Sequence, residues 1–226
     1  MAKARKRRPL TPEAVVVAGL AIGDAEGLEA VSLRRIAAEL GVTPMALYRY
    51  VGSKEELLDE MLDAVWGTVE LPDPAAGDWW QGLATLARSI RAAFLSHPAA
   101  AAIAATRPGG GKNIVRVIEA ILALLEGAGL DPERAARIYL PFGRSLFALI
   151  VFEASLLPEL SEEERRQRAR RTRFELESLP GDEFPHVIAA APHLATPYEP
   201  ERVFEDGLEL LHAGIEAQLG APRGSR

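Results

Sequence analysis

Arg34 and Arg49 carry guanidinium forks that can grip the O6 and N7 edge of a guanine, and Met45 and Ala46 between them offer apolar surface suited to a thymine methyl. Thr43 and Tyr50 add hydroxyls able to bond a phosphate. That chemistry is recognition of a nucleic acid. Chemistry for bond-breaking is missing from the sequence: the four histidines, His97, His186, His193 and His212, stand outside any HExxH pattern, and without cysteine there is no thiolate for a metal or a nucleophile. Gly109-Gly110-Gly111-Lys112 resembles a phosphate loop only in composition. No strand precedes it and the glycine-lysine spacing is wrong, so it reads as a connection between helices.

Two short helices around one tight turn must hold the DNA-directed side chains. Ser32 is placed to cap the first, along which Leu33, Ile36, Ala37 and Leu40 repeat at helical spacing. Gly41 follows, where left-handed backbone costs a glycine least, and Val42 fills the corner. Thr43 as cap and Pro44 at the first helical position start a second helix from Met45 to about Val51, with Leu47 and Val51 turned inward. Met45, Ala46, Arg49 and Tyr50 are left facing out. A helix this short buries little, which argues that its outer face serves a partner, and for a helix-turn-helix that partner is the DNA major groove. The competing reading is an ordinary pair of short helices on a bundle surface. Ser53-Lys54-Glu55-Glu56 has the form of a capping box and opens a further helix carrying Leu57, Leu58, Met61, Leu62 and Val65. Upstream, Thr11-Pro12-Glu13 starts a helix that runs to about Glu26 and stops at Gly27, with Val15, Ala18, Gly19 and Ile22 as its inner stripe.

Leu40-Gly41-Val42, Leu47-Tyr48 and Ser53-Lys54-Glu55-Glu56-Leu57-Leu58 resemble the DNA-binding segment of the tetracycline-repressor (TetR) family of bacterial transcription factors, from about Thr11 to Leu62 without a gap. The resemblance implies an all-α homodimer: a three-helix DNA-binding domain, then a larger helical domain that binds a small molecule and dimerises. It also implies that Tyr48 and Lys54 contact phosphates. With Ser32, Arg34, Thr43, Pro44, Met45, Ala46, Arg49 and Tyr50 they make up the expected DNA-facing set. Pro44 and Met45 stand where the tetracycline repressor has more polar residues, so its operator sequence does not carry over.

The net charge of −6 hides an asymmetry that agrees with this. Residues 1–54 carry nine Lys/Arg against five Asp/Glu, +4, and the remainder 17 against 27, −10. Lys3, Arg5, Lys6, Arg7 and Arg8 form a basic arm over residues 1–10 that is either a DNA-contacting segment or a solvated tail. The DNA-binding domain is expected over 11–70, and Leu71-Pro72-Asp73-Pro74-Ala75-Ala76-Gly77 marks its end. With 48 % hydrophobic residues and no cysteine the chain suits a large core in a reducing cytoplasm. No apolar run is expected to reach the roughly 20 residues of a membrane span.

The helical effector-binding and dimerisation domain is expected over 78–220. Helices are read near residues 78–96, 98–106, 113–127, 132–157 and 201–219, the fourth apolar nearly all round and so buried on more than one side. Residues 161–177, with six arginines in nine positions, read as a solvated helix with (i, i+4) pairing, and 180–200 as loop. Thr106-Arg107-Pro108, Phe204 to Leu210 and Gly214 to Leu219 resemble the tetracycline repressor's own branch, where the last helix and the long helix pair with their mates in a dimer bundle. In that branch a metal-ligating histidine precedes the Thr-Arg-Pro threonine by three residues, and here the position is Ile103. A magnesium-tetracycline complex is therefore not the expected effector, and no cofactor is expected. An apolar or aromatic small molecule is, held by Trp80, Phe94, Ile103, Phe147 and Ile150 with Arg107, Arg144 and Glu153 as polar candidates. Two functions fit: a repressor released from an inverted-repeat operator by an effector, or a helical small-molecule-binding protein or enzyme that uses the helix pair for protein contacts.

Overall fold

The computed structural model describes residues 10–73, 77–107, 111–156, 161–197 and 199–220, and among them every regular element is helical. The basic arm up to Pro9, Pro74 to Ala76 of the expected interdomain loop, Pro108 of the Thr-Arg-Pro match, Gly109 and Gly110 lie outside the described residues. The Thr11 hydroxyl accepts the Ala14 N–H at 3.2 Å and starts α1 (Pro12–Glu26), which Gly27 ends at φ 87°. A Cβ on Gly19 would come within 2.9 Å of Met61 Sδ, so α1 and α4 (Lys54–Gly67) approach through that glycine. The Ser32 hydroxyl accepts the Arg35 N–H and opens α2 (Leu33–Leu40), and Gly41 closes it in the left-handed region at φ 66°.

The next helix is shorter than its sequence suggests. α3 (Pro44–Leu47) has four residues, after which the chain continues in turns through Tyr50, tied by Tyr50 and Val51 N–H bonds to the Leu47 carbonyl. Tyr48, Arg49 and Tyr50 are exposed, and only Leu47 and Val51 are buried to hold the backbone, too little to extend a regular helix towards Gly52. Thr43 has the extended backbone of a cap, but its hydroxyl makes no capping bond, against expectation. At α4 the Ser53 hydroxyl accepts the Glu56 N–H at 3.0 Å, while the Glu56 carboxylate reaches the Gly52 N–H at 2.7 Å. The reciprocal arm of the capping box is thus displaced by one residue.

Further on come α5 (Trp79–Ser96), capped by Asp78, α6 (Pro98–Thr106), α7 (Lys112–Gly127) and α8 (Pro132–Leu156). They are followed by α9 (Glu162–Glu177), α10 (Pro185–Leu194) and α11 (Pro200–Leu219). One compact unit runs to Ser155 and is taken up again from Leu208; the other comprises Leu156–Gly207. Within the first, α4 packs against α1, α5, α6 and α7, so the helix that follows α3 and its turn is also a wall element of the larger helical region.

Two expectations are corrected. α10 occupies much of the stretch read as loop: Pro185 sits in its first turn, where a missing N–H costs nothing, and Pro192 near its end, so prolines that read as breakers punctuate a helix. α8, over Pro132–Ser155, is by length and composition apolar enough to cross a membrane, with Arg144 and Glu153 carried inside it. Pro141 also lies inside this helix. In the second unit α9 pairs Arg166 with Glu162, Arg171 with Glu175 and Arg173 with Glu177, each at (i, i+4) as expected.

Candidate DNA-reading surface and effector cavity

The DNA-directed residues sit on the surface built around α2 and α3. Leu47 is wholly buried, yet Met45 is 75 % exposed, Tyr48 54 % and Tyr50 38 %. Thr43, Pro44, Arg49, Lys54 and Arg34 are exposed too, and Ser32 and Ala46 are half-buried. Arg35 is committed elsewhere, bridging Glu26 at 2.7 Å and Glu39 at 2.9 Å, and these carboxylates hold its guanidinium pKa above the ordinary value. Among the described residues Arg34, Arg49 and Lys54 make no ion pair, so their charge is open to an anionic partner. The same turn therefore spends one arginine on structure and leaves the other cations available.

A cavity of about 530 Å³ opens between α4, α5, α6, α7 and α8, within the usual size of small-molecule sites. Its α7 wall is Ile114, Val117, Ile118 and Ile121, and its α8 wall is Tyr139, Leu140, Gly143, Arg144, Leu146, Phe147, Ala148 and Val151. Trp66, Ile90, Ala104, Ala105 and Arg107 complete it. Trp66 packs edge-on to Phe94 at 4.7 Å and stacks near Phe147 at 6.0 Å, so one face of the cavity is an aromatic cluster. Its indole N–H is buried without a hydrogen-bond partner. Burial also raises the Tyr139 phenol above its ordinary pKa and keeps it protonated.

Of the eight residues expected around the effector, Arg107, Arg144 and Phe147 line this cavity. Phe94 stands behind the wall, edge-on to Trp66 and Phe147, and Ile103 and Ile150 are wholly buried away from it. Glu153 is buried at 3 % exposure in a two-pronged ion pair with Arg91, at 2.8 and 2.6 Å. Trp80 stacks flat on His212 of α11 at 4.1 Å instead. Sequence reasoning passed over Trp66 and Tyr139. Residues 139, 143 and 147 repeat every fourth position, and 114, 118 and 121 follow at steps of four and three; that periodicity was the available signal, and in helices apolar on several sides it does not say which stripe faces a void.

Three carboxylates fasten the helices around the cavity to α1 and α4. Asp59 accepts from Arg107 at 3.1 and 3.3 Å. Asp63 accepts the Asn113 N–H at 2.8 Å and its side-chain amide at 3.1 Å, and a Cβ on Gly111 would meet the Asp63 carboxyl at 2.6 Å. The end of the glycine run therefore lets backbone close on a carboxylate of α4. Asp24 of α1 accepts the Ala99 N–H at 3.1 Å and bonds His97 Nδ1 at 2.8 Å.

Comparison with known proteins agrees with this arrangement. The family model described as bacterial regulatory proteins, tetR family, matches residues 16–61, and the tetracyclin repressor-like C-terminal domain matches residues 71–219. The chain belongs to the TetR family. ActR of Streptomyces coelicolor, solved in complex with actinorhodin, superposes with a TM-score of 0.83 at 36 % identity, over 95 % of this chain and all of that one. The transcriptional repressor DrrR1 of Streptomyces coeruleorubidus is 44 % identical over 131 residues, which are 57 % of this chain and 48 % of that protein. The class D tetracycline repressor of Escherichia coli is 26 % identical over 215 residues, 94 % of this chain and 92 % of that one. The chain thus spans about half the length of the DrrR1 relative and nearly all of the TetR relative of class D.

Proposed function

We propose that this TetR-family chain is a transcriptional repressor that leaves an inverted-repeat operator when an apolar or aromatic small molecule fills the cavity. Residues 11–70 act as the DNA-binding domain and 78–220 as the effector-binding and dimerisation domain. It works as a cytoplasmic homodimer and as a regulator without catalytic activity. One observation carries the reading: a four-residue helix anchored by Leu47, with the turns that follow it, presents Met45, Tyr48, Arg49 and Tyr50 to solvent, and the next helix, α4, walls a cavity sized for a small molecule. The ActR relative, solved with actinorhodin, supports effector binding. The test is a gel shift with DNA flanking the protein's own gene, followed by a thermal-shift screen of small molecules. Retardation at nanomolar protein, reversed by a compound that raises the melting temperature, supports the proposal. Absence of any retardation favours a small-molecule-binding protein that uses α2 and α3 for protein contacts.

A further inference from the structure

The wall of the cavity is unbalanced in charge. It has two arginines, Arg107 and Arg144, and no aspartate or glutamate. Arg107 already has Asp59, whereas Arg144 makes no ion pair among the described residues. Arg144 is solvent-exposed, so water serves its charge. A ligand that fills the cavity takes some of that water away. A neutral ligand then leaves a guanidinium partly desolvated without a counter-charge, which is penalised, whereas an acid supplies the charge and two acceptor oxygens in the geometry a guanidinium fork matches. The remaining polar side chains of the wall favour acceptors as well: Tyr139, held as a neutral phenol, offers an O–H. Around them the surface is apolar and, at Trp66 and Phe147, aromatic.

We infer that the effector is an aromatic acid, whose ring system lies against Trp66 and Phe147 and whose carboxylate is held by Arg144. The inference rests on the reading of this cavity as the effector site, and its test separates the two. Anthraquinone-2-carboxylate and its neutral amide, anthraquinone-2-carboxamide, are matched in shape and differ in charge. Both are titrated against the full chain by calorimetry, with Trp fluorescence as a second readout. The carboxylate should bind at least about ten-fold more tightly than the amide, the worth of one charged hydrogen-bonded contact. Arg144→Gln should erase that preference by weakening the carboxylate far more than the amide, and Arg144→Lys should keep part of it. Since Arg144 is exposed, both variants should keep the wild-type circular dichroism spectrum. Equal affinity of acid and amide for the wild type, or a preference that survives Arg144→Gln, overturns the assignment of an acid but leaves the cavity as a binding site. If neither compound binds, or if both still bind after Ile118→Trp fills the cavity, the cavity reading falls and this inference with it.

Discussion

At Tyr48 and Arg49 the proposed function gives two neighbouring side chains of one turn separable tasks. A phenol on a phosphate fixes register and carries no base information, while a guanidinium on a guanine edge discriminates. Tyr48→Phe should weaken binding to all operator variants alike, and Arg49→Ala should change preference at one base position per half-site by about 1–3 kcal/mol. Binding assays on a set of single-base operator variants check this; uniform losses for both mutants would remove Arg49 from base reading. The buried pair of Arg91 and Glu153 belongs to stability. With Arg91 at 14 % exposure and Glu153 at 3 %, Glu153→Gln takes the carboxylate charge out of this two-pronged pair and should cost about 1–3 kcal/mol in urea unfolding. The joint replacement Arg91→Met with Glu153→Leu should cost less, since desolvation of both charges is then avoided.

Among the elements, what was legible in the sequence follows how strongly each is signalled locally. Starts at Thr11, Ser32, Ser53 and Asp78 and stops at Gly27 and Gly41 were readable, because a side-chain oxygen or a left-handed backbone acts within a few residues. α10 was not, because the same proline that breaks a helix interior is at home in a first turn, and position relative to an unseen boundary decides which. The short α3 was overestimated because propensity and caps cannot report that burial stops at Val51. The cavity was legible only in part. Of the residues expected around an effector, Arg107, Arg144 and Phe147 line it, but Glu153, expected as a polar candidate there, is held by a residue far away in sequence, Arg91. Contacts between distant residues are where sequence pattern ends, and the fit of α1 to α6 is another. A Cβ on Gly23 would lie 2.7 Å from the Ala99 Cβ, beside the Asp24 bond to the Ala99 N–H. Gly23→Ala should force these helices apart and cost about 1–3 kcal/mol despite alanine's better helix propensity, whereas Gly214→Ala in α11, with open space at its Cβ, should be neutral or stabilising. Thermal unfolding of the two variants decides it: equal melting temperatures would mean that α6 shifts freely.

For the whole molecule the question is what covers α8 and α11. Over Pro132–Ser155 only 22 % of the most apolar window is buried inside the chain, and Leu140, Phe152 and, on α11, Leu210 at 77 % exposure stand in water. An isolated soluble chain pays for such surface at roughly 25 cal/mol per Å², so a second copy presenting the same helices is the natural cover, and two-fold symmetry then makes the patch self-complementary. That symmetry also presents two α3 helices, which is why an inverted repeat is the expected operator. Leu210→Glu places a charge in the proposed seam without touching the DNA-reading turn or the cavity wall. Light scattering should find the wild type dimeric at micromolar concentration and Leu210→Glu largely monomeric. Because each half-site then binds alone, the mutant should lose most of its affinity for the full operator while each domain keeps its fold by circular dichroism. A monomeric wild type that still binds the inverted repeat tightly would sink the dimer and leave the exposed face of α8 to a different partner.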